Sequence, residues 1–276
     1  MNTANAFLPS VYSERIQRLV LGIEPTDAQR RARIAHPVQV VVDGPPHLAG
    51  ETVVSGFDGL PDPIGRLAAI PRHNSCRHAL VFPPAVKTPV AIRLFDVQRR
   101  FAPRRISYPL PATIETAPPP SRVRRPALFP GAAYDISPTA TGLRGRVTWG
   151  KPTTGEVPAR WVRVTASING HVVGRAHGDD RGEFVLLLQN EAGGLGDLPS
   201  SLVAQVTVFG PGGPQPVLPG DPLGDLPVEI LTADPDDVSS GEKLPAGYAA
   251  TALSARAVTF ELGTLLTGQD KFFFHV

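Results

Sequence analysis

Three alternating runs, Arg144–Trp149, Trp161–Ile168 and Glu183–Leu188, lie close together in the middle of the chain. Each sets apolar and polar side chains at period two, so the two faces of an extended strand carry opposite character. A helix cannot use that period, because its faces repeat every ~3.6 residues. Between the runs sit Gly150, Pro152, Gly155 and Pro158, then Gly178-Asp179-Asp180-Arg181-Gly182. Glycine admits positive φ at no steric cost and aspartate bonds its own backbone, so both stretches close turns between half-buried strands. Phe184, just after the second turn, is expected to face the core.

Composition extends this reading to the whole chain. Proline (31) and glycine (27) make up about a fifth of the 276 residues, against a usual combined share of about 12%. The excess has no short period, which excludes a collagen-like chain and fits many short strands joined by turns. Further strands are expected at Val38–Val42, Glu51–Ser55, Ala79–Phe82, Val90–Asp96, Arg105–Tyr108, Ser201–Phe209, Pro227–Leu231, Leu253–Leu262 and Lys271–Val276. Ser13 can cap a short amphipathic helix carrying Ile16, Leu19 and Val20 and stopped by Gly22, with a second helical turn over Ala28–Ile34 before Pro37.

The expected fold class is all-β: two small β-sandwich domains, a short N-terminal helical segment and a proline-rich linker. The boundaries are an N-terminal helical or extended arm over 1–34, a first domain over 35–112, a Pro/Arg-rich linker over 113–138 and a second domain over 139–276. No run of ~18 apolar residues is present, so no membrane-spanning helix is expected. The N-terminus lacks a basic region ahead of an apolar core, and Cys76 stands alone. Together these predict a product folded and assembled in the cytosol, or carried in a particle released from it.

The order strand, Thr154-Gly155-Glu156-Val157-Pro158-Ala159 loop, strand with Val162–Val164, strand, Asp180-Arg181-Gly182-Glu183-Phe184 turn, strand resembles the carboxypeptidase regulatory-like domain, as does Gly145-Arg146-Val147-Thr148. The resemblance covers roughly a sixth of the chain. It implies a prealbumin (transthyretin-like) sandwich for 139–276 and an accessory role, since the peptidase ligands of such proteins belong to a different domain. The segments RLVLGIEPTDAQRRARIAHPVQVVVDG and VAIRLFDVQRRFAPRRISYPL are similar to adaptor-type components of bacterial contractile injection systems, which are phage-tail-like particles.

Charge is segregated. Residues 93–125 hold eight arginines against Asp96 and Glu115, a net of +6, and residues 178–242 hold twelve acids against Arg181, a net of −11. Opposite patches favour docking. Arg99, Arg100, Arg104 and Arg105 are therefore candidates for binding an acidic surface, on a partner or on the 178–242 face of another copy. Phe101 and Tyr108 beside them could stack on nucleic acid, but aromatics are few and the chain's net charge is only +2, so a protein partner is expected and nucleic acid is not. Phe272, Phe273 and Phe274 form the second candidate interface, because a strand with adjacent phenylalanines must be covered on both faces.

Chemistry has little to work with. No nucleophile elbow, phosphate loop or dinucleotide fingerprint occurs. His73, Cys76 and His78 are the only cluster of soft ligands, and zinc needs three or four convergent ones. Asp234, Asp236 and Asp237 lack the spacing of a calcium loop. No catalytic residue, cofactor or metal ion is expected. The function expected is a structural adaptor in a multi-subunit assembly, with homo-oligomers open. The alternative is a ligand- or carbohydrate-binding module for a cell-surface target, disfavoured because Trp149 and Trp161 sit at strand positions where packing is their usual role.

Overall fold

The computed structural model describes residues 19–43, 77–81, 90–108, 118, 122–150, 155–189, 200–214, 221–230, 245, 248, 252–268 and 273–275. The chain is all-β. Its first half supplies β1 (Leu19–Ile23), β2 (Thr26–Asp27), β3 (Ala32–Arg33), β4 (Gln39–Asp43), β5 (His78–Val81), β6 (Val90–Phe95), β7 (Arg104–Tyr108), β8 (Val123–Arg124) and β9 (Ala127–Leu128). Then come β10 (Gly142–Trp149), β11 (Val157–Pro158), β12 (Arg163–Ile168), β13 (His171–His177), β14 (Glu183–Leu187) and β15 (Ser201–Phe209). The chain closes with β16 (Val228–Ile230), β17 (Ser254–Glu261), β18 (Leu265–Leu266) and β19 (Phe273–His275).

Two cores organise these strands. One is lined by Leu143, Val147, Phe184 and Leu186 from β10 and β14, facing Val164, Ala166, Ala204, Val206, Val208, Val258 and Phe260 from the sheet ordered β13-β12-β15-β17. The other holds Val40, Ile92, Leu94, Ile106 and Tyr108 of the sheet ordered β16-β7-β6-β4, with Leu21, Ile23, Leu128 and Tyr134. It also takes Val185 and Leu187 of β14. Successive residues of a strand point to opposite faces, so β14 feeds Phe184 and Leu186 into one core and Val185 and Leu187 into the other. Glu183–Leu188 is thus not the half-buried strand its alternation implied. From Phe184 to Leu187 it is buried on both sides, and Phe184 is a core residue.

The N-terminal segment departs from expectation. Leu19–Ile23 is a strand, not the end of a helix: it pairs antiparallel with β5 and parallel with β8. Leu21 and Ile23 alternate into the core while Gly22 lies against Val123. Ala28–Ile34 is a turn and short hairpin, with Arg31 at φ 49°. Ile16, Leu19 and Val20 have helical spacing while the overlapping set Leu19, Leu21 and Ile23 has period two, and neighbouring strands decide between the two. Residues 1–18, including Ser13, and the strand expected at Glu51–Ser55 lie outside the described residues.

The stretch expected as a linker is built into the sheets where it is described. Val123–Arg124 and Ala127–Leu128 pair in parallel with β1 and β2. Tyr134 is buried, and its hydroxyl donates to Asp27 at 2.7 Å. Burial and the Asp27 carboxylate hold the Tyr134 phenol above its ordinary range. Strand pairing also crosses the boundary at 139, since β16 adds in parallel to β7. Prolines here mark short edge strands that need few N–H donors.

Candidate functional site

The hairpin between β6 and β7 carries the four candidate arginines, and its shape follows from Asp96. That buried carboxylate accepts from the backbone N–H of Gln98 (2.9 Å) and Arg100 (3.1 Å) and from Arg100 Nε (3.1 Å). Arg99 sits at φ 57°. The carbonyls of Arg99 and Arg100 accept from Ala133 and Gly131. A Cβ at Gly131 would lie 2.5 Å from the Arg99 carbonyl oxygen, so only glycine lets the two segments meet there.

Each arginine of the hairpin finds its partner inside the chain. Arg99 donates to Asp180 at 2.8 Å and to Asp179 at 3.3 Å, tying the hairpin to the turn before β14. That turn is itself closed by Asp179, which accepts from the N–H of Arg181 (2.8 Å) and Glu183 (3.0 Å). Arg105 donates to the carbonyls of Gly224 and Leu226, both at 3.3 Å. Arg104 is buried and pairs with Glu229, so it presents no surface to a partner. Of the acidic surface expected on a partner or on the 178–242 face of another copy, Asp179, Asp180 and Glu229 meet Arg99 and Arg104 within one copy, because β16 and the turn before β14 pack beside the hairpin, while Arg100 pairs with Asp96.

Residues 221–230 show how this works. Asp221 accepts from Arg93 Nη1 at 2.8 and 2.7 Å, and Asp225 from Arg160 at 2.6 and 2.8 Å. Glu229 accepts from Arg104 Nε at 3.1 Å and Arg163 Nη2 at 3.0 Å. Burial alone would push Glu229 upward; the Arg104 and Arg163 charges outweigh it and hold the carboxylate below its ordinary range. Arg104 also donates to the Ala127 carbonyl and lies over the Phe129 ring, which stacks on His177 at 3.9 Å. Arg163 donates to the Trp161 carbonyl at 2.9 Å. Trp161 stands at φ 62° with its ring buried, and its indole N–H has no acceptor among the described residues. A bulky residue in the left-handed region stores strain, and bonds from Arg163 and Tyr248 to its carbonyl hold it there.

A second arginine cluster was not foreseen. Glu24, which follows β1, is 3% exposed, forms an ion pair with Arg33 of β3 and accepts from Arg77 ahead of β5 at 3.2 Å and from Arg125 after β8 at 3.1 Å. The three arginine side chains are about half exposed, at 46, 52 and 55%. Burial works to raise the Glu24 pKa, but hydrogen bonds from Arg125 and Arg77 and the charges of Arg77 and Arg33 lower it below its ordinary value. Nothing in sequence spacing joins these four residues; strand pairing does.

The C-terminal candidates are only partly described. Phe273–His275 pairs in parallel with Arg146–Thr148 of β10, so this backbone completes the chain's own sheet. Phe272 lies outside the described residues, as do His73 and Cys76, whereas His78 is buried at the start of β5. Among the described residues no three metal-ligating side chains converge, and no helix is long and apolar enough to cross a membrane.

The outward face of the β13-β12-β15-β17 sheet is different in kind. Register places Val172, Ser167, Gln205 and Ala257 side by side, and next to them Thr165, Thr207 and Ala255, then Val203 and Thr259. These rows contain no charge until Arg175 and Glu261 at the rim, and Val203 is 60% exposed. Among the described residues β17 pairs only with β15, which leaves its outer edge as the end of the sheet. Comparison with family models, curated proteins and solved structures finds no match to this chain.

Proposed function

We propose that this protein is a non-enzymatic structural adaptor that docks within a multi-subunit assembly, of the kind formed by phage-tail-like contractile injection particles, on a prealbumin-like second sandwich. The observation that carries the reading is the uncharged patch Thr165, Ser167, Val203, Gln205, Thr207, Ala255, Ala257 and Thr259 on the outer face of β12, β15 and β17, beside an edge of β17 to which no strand pairs among the described residues. An outward sheet face in water ordinarily mixes in charged residues, and flat edges are ordinarily blunted. A face of small, uncharged side chains with an exposed valine suits burial against another protein. The ionisable groups of the hairpin and of 221–230 are spent on holding sheets together, which fits a scaffold better than a reaction centre.

The test is a charged face. The double variant Val203→Arg/Ala257→Arg should fold with an unchanged circular dichroism spectrum yet fail to co-purify, from the native cell, with the partners that the natural chain retains. Retention of the same partners by the variant would overturn the reading. Sheath, tube and baseplate genes beside the coding gene would favour the particle; their absence would remove that part of the proposal.

A further inference from the structure

The two arginine clusters use the same chemistry at different depths. Around Glu229 the guanidinium groups are buried and their donors go to Glu229 and to the carbonyls of Ala127, Trp161 and Val162. Around Glu24 all three contacts run through Nε, to Oε1 from Arg33 and Arg77 and to Oε2 from Arg125. For Arg33 and Arg77 the Nη1/Nη2 ends are therefore not the atoms that hold Glu24. Arg33 and Arg77 make no other ion pair among the described residues. One carboxylate thus fixes three guanidinium groups in place, and the four charges sum to +2.

We propose that Arg33 and Arg77, held by Glu24 beside Arg125, form a recognition site for an acidic segment of a partner protein. Paired Nη donors match carboxylates in a planar, two-bond geometry. Fixing each side chain through Nε removes rotamer entropy that binding would otherwise have to overcome. The molecule already pairs an acidic stretch with arginines: Asp221, Asp225 and Glu229, spaced by four, are each met by an arginine from elsewhere in the chain. Nucleic acid is the poorer fit, because the whole chain carries a formal charge of only +2 and backbone phosphates are held mainly by accumulated positive charge. The site rests on the adaptor reading only for the partner's being a protein.

The experiment is fluorescence anisotropy with the full chain and a fluorescein-labelled octaglutamate peptide at low ionic strength. Saturable binding is expected, weakening with added salt. Arg33→Gln/Arg77→Gln should weaken it by at least about tenfold, and Arg33→Lys/Arg77→Lys by less, since lysine keeps the charge but loses the paired donors. Arg125 stays in place so that Glu24 keeps a partner, and an unchanged melting temperature checks the fold. Should the glutamine variant unfold, the lysine variant decides by itself: weakening supports the site and unchanged affinity overturns it. Arg144→Gln, an exposed arginine on β10, should bind as the natural chain does. No binding by the natural chain, equal affinity in the glutamine variant, or tighter binding of a single-stranded DNA oligonucleotide through the same arginines would each overturn the proposal. A peptide that does not bind leaves the Val203 face and its test standing. A peptide that binds, with no assembly lost in the Val203 variant, overturns the adaptor reading alone.

Discussion

Glu229 and Glu24 are both buried carboxylates ringed by arginines, and they differ in what surrounds the arginines. Arg104 and Arg163 are 5% and 3% exposed, so their charges have no solvent to return to if Glu229 is lost. The arginines on Glu24 keep about half of their surface in water. The first arrangement commits charge to architecture, because breaking a buried pair leaves an uncompensated ion in low dielectric. The second holds charge at the surface, where each pair is worth little by itself. An identical list of ion pairs therefore describes a structural seam in one place and a presenting surface in the other.

The largest effect should come from Glu229→Ala, which leaves Arg104 and Arg163 buried and unpaired. Urea denaturation should show a loss of about 3–5 kcal/mol. Glu24→Ala should cost about 1 kcal/mol or less in the same assay, since water takes over its arginines. Equal losses would break the distinction. The charge alone, apart from packing, can be separated with Arg104→Met/Arg163→Leu/Glu229→Leu. This triple variant should recover part of the loss seen for Glu229→Ala, because replacing a whole buried ion cluster costs less than orphaning it. A triple variant weaker than the single one would shift the weight to the bonds on the Ala127 and Trp161 carbonyls.

Acid sharpens the comparison further. Glu24 has a folded pKa lowered from its ordinary value of 4.5. Its contribution to stability is therefore complete above that ordinary value and is lost as pH falls through the lower folded value. Glu24→Gln should abolish this part of the acid dependence, seen as converging urea midpoints of variant and natural chain on acidification. Parallel curves would show that Glu24 titrates normally. The smallest effect is expected for Arg99→Gln. Arg99 is about half exposed, and loss of its pairs with Asp179 and Asp180 in the turn before β14 should cost at most about 1 kcal/mol.

Much of the β-structure was legible. Alternation placed β10, β12, β15 and β17 to within a few residues, and the apolar stretch Pro227–Leu231 anticipated β16. Asp and Gly in Gly178–Gly182 announced the turn that Asp179 closes, and a Cβ at Gly182 (φ 71°) would meet the Val147 carbonyl oxygen at 2.3 Å. The N-terminal strand was not legible because Ile16, Leu19 and Val20 fit a helical face while Leu19, Leu21 and Ile23 fit period two, and only pairing with β5 and β8 decides for the extended form. Of the four arginines expected to dock on an acidic surface of another molecule, Arg99 and Arg104 pair with Asp180 and Glu229 of the same chain. Nothing local distinguishes Glu229 meeting Arg104 across one chain from the same pair across two.

The sequence by itself determined that the chain builds sheets and where the Gly178–Gly182 turn falls, and it showed that basic and acidic residues are segregated. Periodicity, positive-φ residues and charge are local properties, readable along the chain. Tertiary structure decided which strands share a sheet, that β14 serves two cores at once, and that Glu24 gathers arginines from β3, from the residue ahead of β5 and from the segment after β8. Those outcomes depend on pairing between residues remote in sequence, where burial determines whether an arginine is held as structure or left facing water.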